Sequence, residues 1–197
     1  MSALVLAVLP FALSTTLTPG PNTIMVTASG ATFGFRRTVP HMLGIVVGFP
    51  LMMIGVGLGL GEVFAGRPLL HAALRWVGAG YLLYLAWRIA TARPSAMEDA
   101  RGRPLSFLQS VGFQWVNPKA WVMSVGALTT YTTVGGDTRR ETLVIVAVFA
   151  VVTVPAIAFW AAFGVGVGRL LRSDRALRVF NWTMAALLVA SLAQLVA

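Results

Sequence analysis

The sequence predicts an all-α integral membrane protein with six transmembrane helices in two inverted three-helix repeats, helices 1 and 4 being broken near Pro19-Pro21 and Pro118. Three observations predict it. The residues are 57% hydrophobic and only 11% charged, with a mean hydropathy of +0.81, whereas a soluble domain carries roughly 25% charged residues. A chain of 197 residues holds about six spans at roughly 20 residues each. Two apolar segments are interrupted in the same chemical way, by Thr18-Pro19-Gly20-Pro21-Asn22 and by Gln114-Trp115-Val116-Asn117-Pro118-Lys119. Backbone freed inside a bilayer needs protein or a cavity around it. Breaks in corresponding places of two halves mark a transporter whose site is built from unwound helices.

The first span is read at Leu4–Ala28. No charge precedes Arg36, so Met1-Ser2-Ala3 lacks the positive region of a signal peptide and the segment is expected to be a retained helix. Pro19 and Pro21 remove two N–H donors, which predicts a helix end near Leu17. Gly20 permits backbone angles that other residues resist, and Pro21 suits the first turn of a new helix. The N-terminus of that half-helix, carrying about half a positive charge, would face an internal cavity and suit a carboxylate. Thr18 and Asn22 add donors and acceptors. The structural alternative is a proline kink satisfied by neighbouring helices.

The second span, Thr38–Leu60, contains Pro50 and ends in the run Gly55-Val56-Gly57-Leu58-Gly59-Leu60-Gly61. No strand and helix flank that run, so it is not a nucleotide loop. The spacing of Gly57 and Gly61, and of Gly164 and Gly168, is the small-xxx-small pattern of close helix packing. In the third span, Leu70–Ala92, residues Trp76, Tyr81, Tyr84 and Trp87 are read as an interfacial belt or as packing. His41 and His71 fall near predicted loop ends and are expected to be hydrated.

The fourth span, Phe107–Thr130, carries the second break, with Gln114, Asn117 and Lys119 around Pro118. Lys119 is the one formal charge well within a span, roughly 18 Å along a core about 30 Å thick. A buried ammonium is a functional candidate by default, paired with a substrate carboxylate or with carbonyls at a half-helix end. Snorkelling into a watery vestibule is the alternative. Gln114 and Asn117 also fit simple helix-joining amides. The fifth span is Leu143–Gly168, with Pro155, and the sixth Val179–Ala197.

The chain therefore reads as one transmembrane domain, 1–197: repeat one over about 1–95, a loop over about 93–105 and repeat two over about 104–197. Ordered matches support the duplication: Pro19 with Pro118, Arg36-Arg37 with Arg139-Arg140, Pro50 with Pro155, Gly57, Gly59 and Gly61 with Gly164, Gly166 and Gly168, and Trp76 with Trp182. Three spans per repeat is odd, so the second copy must be inverted. With both termini outside, inner loops hold ten Arg and outer loops four, the distribution the positive-inside rule favours.

The net charge of +9 does not mark a nucleic-acid binder, because the basic residues sit in short gaps between apolar runs and not on one face. Cysteine is absent, which excludes disulfides, thiolate metal sites and cysteine nucleophiles. All six acids, Glu62, Glu98, Asp99, Asp137, Glu141 and Asp174, fall in or beside predicted loops. No paired intramembrane aspartates, HExxH or GxSxG motif is present, so neither an enzyme nor a metal or cofactor site is expected. The lipid bilayer is the expected surrounding, and association into a homo-oligomer is left open.

At its two breaks the chain resembles the LysE/RhtB family of amino-acid exporters. The resemblance runs over nearly the whole length. It is carried by Thr18-Pro19-Gly20-Pro21-Asn22, Gly34-Phe35-Arg36-Arg37, the run from Gly78 to Trp87, and Phe107, Gln114 and Asn117-Pro118-Lys119-Ala120-Trp121. It implies efflux of small amino acids or their derivatives across the bacterial inner membrane, driven by proton motive force. Many relatives carry an acidic residue after the glycine corresponding to Gly48, where this chain has Phe49. Gly48-Phe49 with Pro104-Leu105-Ser106-Phe107 is similar to the branch that includes cysteine and O-acetylserine exporters. In that reading Thr18, Pro19, Gly20, Pro21 and Asn22 bind the substrate from one repeat, and Gln114, Asn117, Pro118 and Lys119 from the other. A passive small-solute channel and a non-transporting membrane scaffold are the rival readings.

Overall fold

The structure, a computed structural model, describes residues 2–60, 67–92, 103–133, 136–171 and 173–192. Among these residues it is all-helical: α1 (Ser2–Leu17), α2 (Pro21–Phe33), α3 (Phe35–Gly55), α4 (Pro68–Ala90), α5 (Phe107–Gln114), α6 (Pro118–Tyr131), α7 (Thr138–Leu170) and α8 (Asp174–Ala190). A π-helical turn, Val56–Leu60, continues α3. It takes a left-handed angle at Gly59 (φ 99°), where a Cβ would be strained. Phe35–Gly59 and Thr138–Leu170 are each long and apolar enough to cross a membrane. The pair α1 and α2, bent by 52°, is together a third candidate.

Both breaks follow from the missing donors. α1 ends at Leu17 and α2 starts on Pro21, its N-cap being Gly20. α5 ends at Gln114 and α6 starts on Pro118, with Asn117 as N-cap. Pro21 and Pro118 thus play the same local part, because each opens a helix where its absent N–H costs nothing. Other helix starts are built by short side chains. Ser106 and Gln109 form a reciprocal capping box on α5, Asp137 caps α7 and Ser173 caps α8. α8 begins before the expected Val179, since Ser173 places its start at Asp174.

The halves interlock. α1 lies on α7 and α5 lies on α3, so the first half-helix of each half packs on the long helix of the other; α2 also lies along α7. The approach is backbone to backbone. A Cβ at Gly164 would stand 2.1 Å from the Thr27 carbonyl oxygen, and one at Gly168 would stand 2.5 Å from that of Ala31. The packing role read for this glycine pair is met, as is that of Gly57, which abuts Thr142; Gly61 lies outside the described residues. Phe49, Met52, Met53, Ile145, Phe149 and Val152 form a core between α3 and α7.

The outer surface is apolar. Leu6, Leu58, Leu108, Val122, Val151, Phe159, Trp76 and Trp182 are exposed, while His41, Gln114, Asn117 and Asn181 are buried. Water would not select that inversion, but a bilayer does. His41 departs from expectation. It sits in α3, one turn before Ile45, and is buried rather than hydrated.

Candidate functional site

The two breaks meet. The Lys119 side chain, leaving the first turn of α6, crosses the break after α1 and donates to the carbonyls of Thr18 and Pro19 (3.4 Å to the latter). These carbonyls lie at the C-terminal, partly negative end of α1, which favours a cation. Gly20 makes the crossing feasible: a Cβ there would lie 2.5 Å from Lys119 Cδ and 3.1 Å from its Nζ. The ammonium therefore sits at the junction of one helix end and the start of the next.

The two half-helix starts differ. Asn117 accepts the backbone N–H of Lys119 (3.2 Å) and caps α6 with its own side chain. Gly20 has no side chain to cap α2. Thr23 Oγ1 instead accepts the Gly20 N–H (2.8 Å) and donates to the Gly20 carbonyl (2.9 Å). The first-turn N–H groups of Asn22 and Thr23 thus lack a capping side-chain acceptor, beside an ammonium. That is an anion-binding arrangement.

Next to this junction lies a recess of about 390 Å³, counted with the open space at its mouth. Of the residues expected at the site, Gly20, Asn22, Asn117 and Lys119 line it, and Thr18, Pro19, Pro21, Gln114 and Pro118 do not. Thr15, Thr16, Thr23 and Thr153 line it too, with Ile45, Phe49 and Met123 as apolar wall. Phe49 packs edge-on against Phe149, ring centroids 5.7 Å apart. The hydroxyls of Thr16 and Thr153, residues 8% and 2% exposed, have no hydrogen-bond partner in the protein. A helical threonine ordinarily donates to the preceding turn, as Thr15 does to the Phe11 carbonyl (2.6 Å). Sequence inspection missed Thr16 and Thr153; the signals were a hydroxyl pair abutting the first break and a lone hydroxyl two residues before Pro155.

The remaining candidates stand around the recess. The Thr18 hydroxyl turns back to the Ser14 carbonyl, and the residue contributes its own carbonyl to Lys119. Pro21 and Pro118 open helices. Gln114 is fully buried and exchanges two amide hydrogen bonds with Asn22, at 2.8 and 3.2 Å, while donating to the Ser110 carbonyl at 2.9 Å. This amide pair bolts one break to the other. Gln114→Leu leaves Asn22 short of a partner and is expected to lower the unfolding midpoint by an amount equal to about 1–3 kcal/mol. Asn22→Leu with Gln114→Leu should recover part of that loss, and a thermal-shift double-mutant cycle measures the coupling.

The profile of the LysE type translocator family matches residues 13–197. The chain is similar to the cysteine/O-acetylserine efflux protein of Salmonella typhimurium (strain LT2), 39% identical over 124 residues covering 61% of this chain and 62% of that one. It is 35% identical over 124 residues to the protein of the same name from Escherichia coli (strain K12), with the same coverage. The matched region thus spans less than two thirds of these relatives' length. No solved structure matches.

Proposed function

We propose that this chain, which belongs to the LysE type translocator family, exports a small polar amino acid by alternating access. It is a membrane transporter of the bacterial inner membrane and not an enzyme. The observation that carries the reading is the recess between the two breaks, where the Lys119 ammonium meets the uncapped start of α2. The substrate carboxylate binds Lys119 Nζ and the first-turn N–H groups of α2. Its ammonium is held by carbonyls at the end of α1, where Pro19 and Pro21 have no N–H to offer Thr15 and Leu17. Thr16 and Thr153 bond the polar substrate side chain. Phe49 brings an aromatic ring and no carboxylate to the recess wall, so carbonyl dipoles stabilise the substrate cation.

Six crossings are proposed: α1 with α2, α3, α4, α5 with α6, α7 and α8, the two halves inverted and both termini outside. The interlocking of each half with the long helix of the other supports this. Rocking of the halves, eased by Pro50 and Pro155 inside α3 and α7, moves the recess from one side to the other. Coupling to proton motive force completes the proposal. The names of the similar proteins support cysteine and O-acetylserine as the first substrates to try.

The test is release of labelled amino acids from proteoliposomes with and without an imposed pH gradient. Saturable, gradient-stimulated release of one stereoisomer supports the carrier. Gradient-independent release without stereoselectivity assigns a channel, and no release by folded protein assigns a scaffold. Thr153→Val separates binding from folding, because it removes an unpartnered hydroxyl and keeps the shape. The melting temperature should hold or rise. KM for a hydroxyl, thiol or ester side chain should rise about tenfold relative to alanine, the loss of one buried hydrogen bond. Unchanged relative KM values would remove Thr153 from the site.

A further inference from the structure

Lys119 is the sole lysine of the sequence, and its ammonium rests on the carbonyls of Thr18 and Pro19, just past the end of α1. An ammonium offers three donors and accepts nothing. The end of α1 offers the reverse. Its last carbonyls carry the partly negative end of the helix, and Pro19 and Pro21 withhold the two N–H groups that would reach Thr15 and Leu17.

The stem fits this place as closely as the charge. A Cβ on Gly20 would stand 2.5, 3.4 and 3.1 Å from Lys119 Cδ, Cε and Nζ, so the last three side-chain atoms run over bare backbone. Gly20 is buried, whereas Thr18 and Pro19 are exposed, which leaves the carbonyls within reach of a small cation. Thr15, Gly20 and Lys119 also line the recess, so the ammonium stands at its border. An amino acid bound there brings a second ammonium to the same helix end.

We propose that the carbonyls at the end of α1 are one ammonium seat with two occupants in turn, Lys119 in the unloaded carrier and the substrate α-ammonium in the loaded one. The exchange rests on the export reading; the seat itself rests on the Lys119 contacts. The incoming carboxylate draws Lys119 off the carbonyls, and the α-ammonium replaces it. A cation covers these acceptors in both states, which avoids the cost of an unpaired polar group. The contact ties α6 to α1 only until loading, so a bound substrate frees the two breaks to separate. A carboxylate alone leaves the carbonyls bare, and an amine alone leaves Lys119 without an acceptor. Only a molecule with both groups completes the exchange.

The experiment uses the full chain in lipid nanodiscs with ¹³C,¹⁵N-labelled lysine, whose side-chain signals all belong to Lys119. O-acetylserine, sodium acetate and propylammonium chloride are titrated separately at constant ionic strength. O-acetylserine should shift the Cε and Nζ signals saturably. Acetate and propylammonium should each need at least about tenfold more, the value of one charge-assisted contact. Lys119→Ala then opens the seat, and propylammonium replaces the four side-chain atoms removed beyond Cβ. It should raise the melting temperature of that variant at concentrations about tenfold lower than for wild type, and saturating O-acetylserine should abolish the effect. Tetramethylammonium, which has the charge but no N–H, should do nothing. Lys119→Met, which keeps the stem, is the second variant and should respond to ammonium chloride but not to propylammonium. Acetate as potent as O-acetylserine on the wild-type lysine overturns the exchange. Propylammonium acting equally on wild type and Lys119→Ala, or on neither, overturns the seat. The two readings fail separately. Propylammonium saturation in protein that releases no amino acid sinks the export reading alone, and release without that saturation sinks the seat alone.

Discussion

Lys119→Met is expected to raise the KM for amino-acid release by about 10- to 100-fold, the value of one charge-assisted hydrogen bond in a buried site. The ammonium is held by the Thr18 and Pro19 carbonyls of one break while its own backbone belongs to the other. Methionine keeps the aliphatic stem that passes Gly20, so the helices keep their positions and the loss falls on the substrate carboxylate. Gly20→Val approaches the same contact from the opposite wall. Its Cβ would meet Lys119 Cδ at 2.5 Å and push the ammonium off the recess, giving the same kinetic defect with an unchanged Lys119. Initial rates of release across a substrate series, alongside elution profiles of the purified variants, check both. A wild-type KM in Lys119→Met would remove the lysine from the site.

Gly164→Val is expected to prevent recovery of folded protein. The added Cβ would lie 2.1 Å from the Thr27 carbonyl oxygen and 2.9 Å from its carbon. Those are backbone atoms of α2, which no rotamer change can move. Overpacking of a core costs about 1–3 kcal/mol when side chains can yield, and here the whole of α2 would have to withdraw from α7. α2 begins at the uncapped turn of the recess, so such a shift also dismantles the site. Gly166→Val is the matched control, two residues away with nothing within 4 Å of its Cβ. It should elute and melt like wild type. Equal behaviour of the two variants would show that the α2–α7 joint tolerates separation.

Much of the site was legible because proline chemistry is local. Pro19 and Pro21 dictate a helix end and a helix start wherever the segment is placed, and both appear where the sequence puts them. The polar residues beside the breaks were legible as a set, but their division of labour was not. Gln114 and Asn22 bond each other, Asn117 caps its own helix, and Lys119 reaches across to the opposite break. Each of these is a choice among hydrogen-bond partners, and three of the four residues reach a partner outside their own helix only after the halves dock.

Thr16, Thr153 and His41 show the remaining gap. An isolated threonine in an apolar helix normally satisfies itself against the preceding turn, and a histidine near a helix end normally meets water. Only nearness to the first break and to Pro155 sets the two threonines apart, and nothing local marks His41. Apolar composition, proline placement and basic gaps by themselves determined a membrane-embedded, all-helical chain with two broken helices, because these properties depend on neighbours within a turn or two. Tertiary structure alone decided which hydroxyls and imidazole face unfilled space without a partner. That outcome depends on residues more than a hundred positions apart meeting at glycine contacts, and no helical period encodes such a meeting.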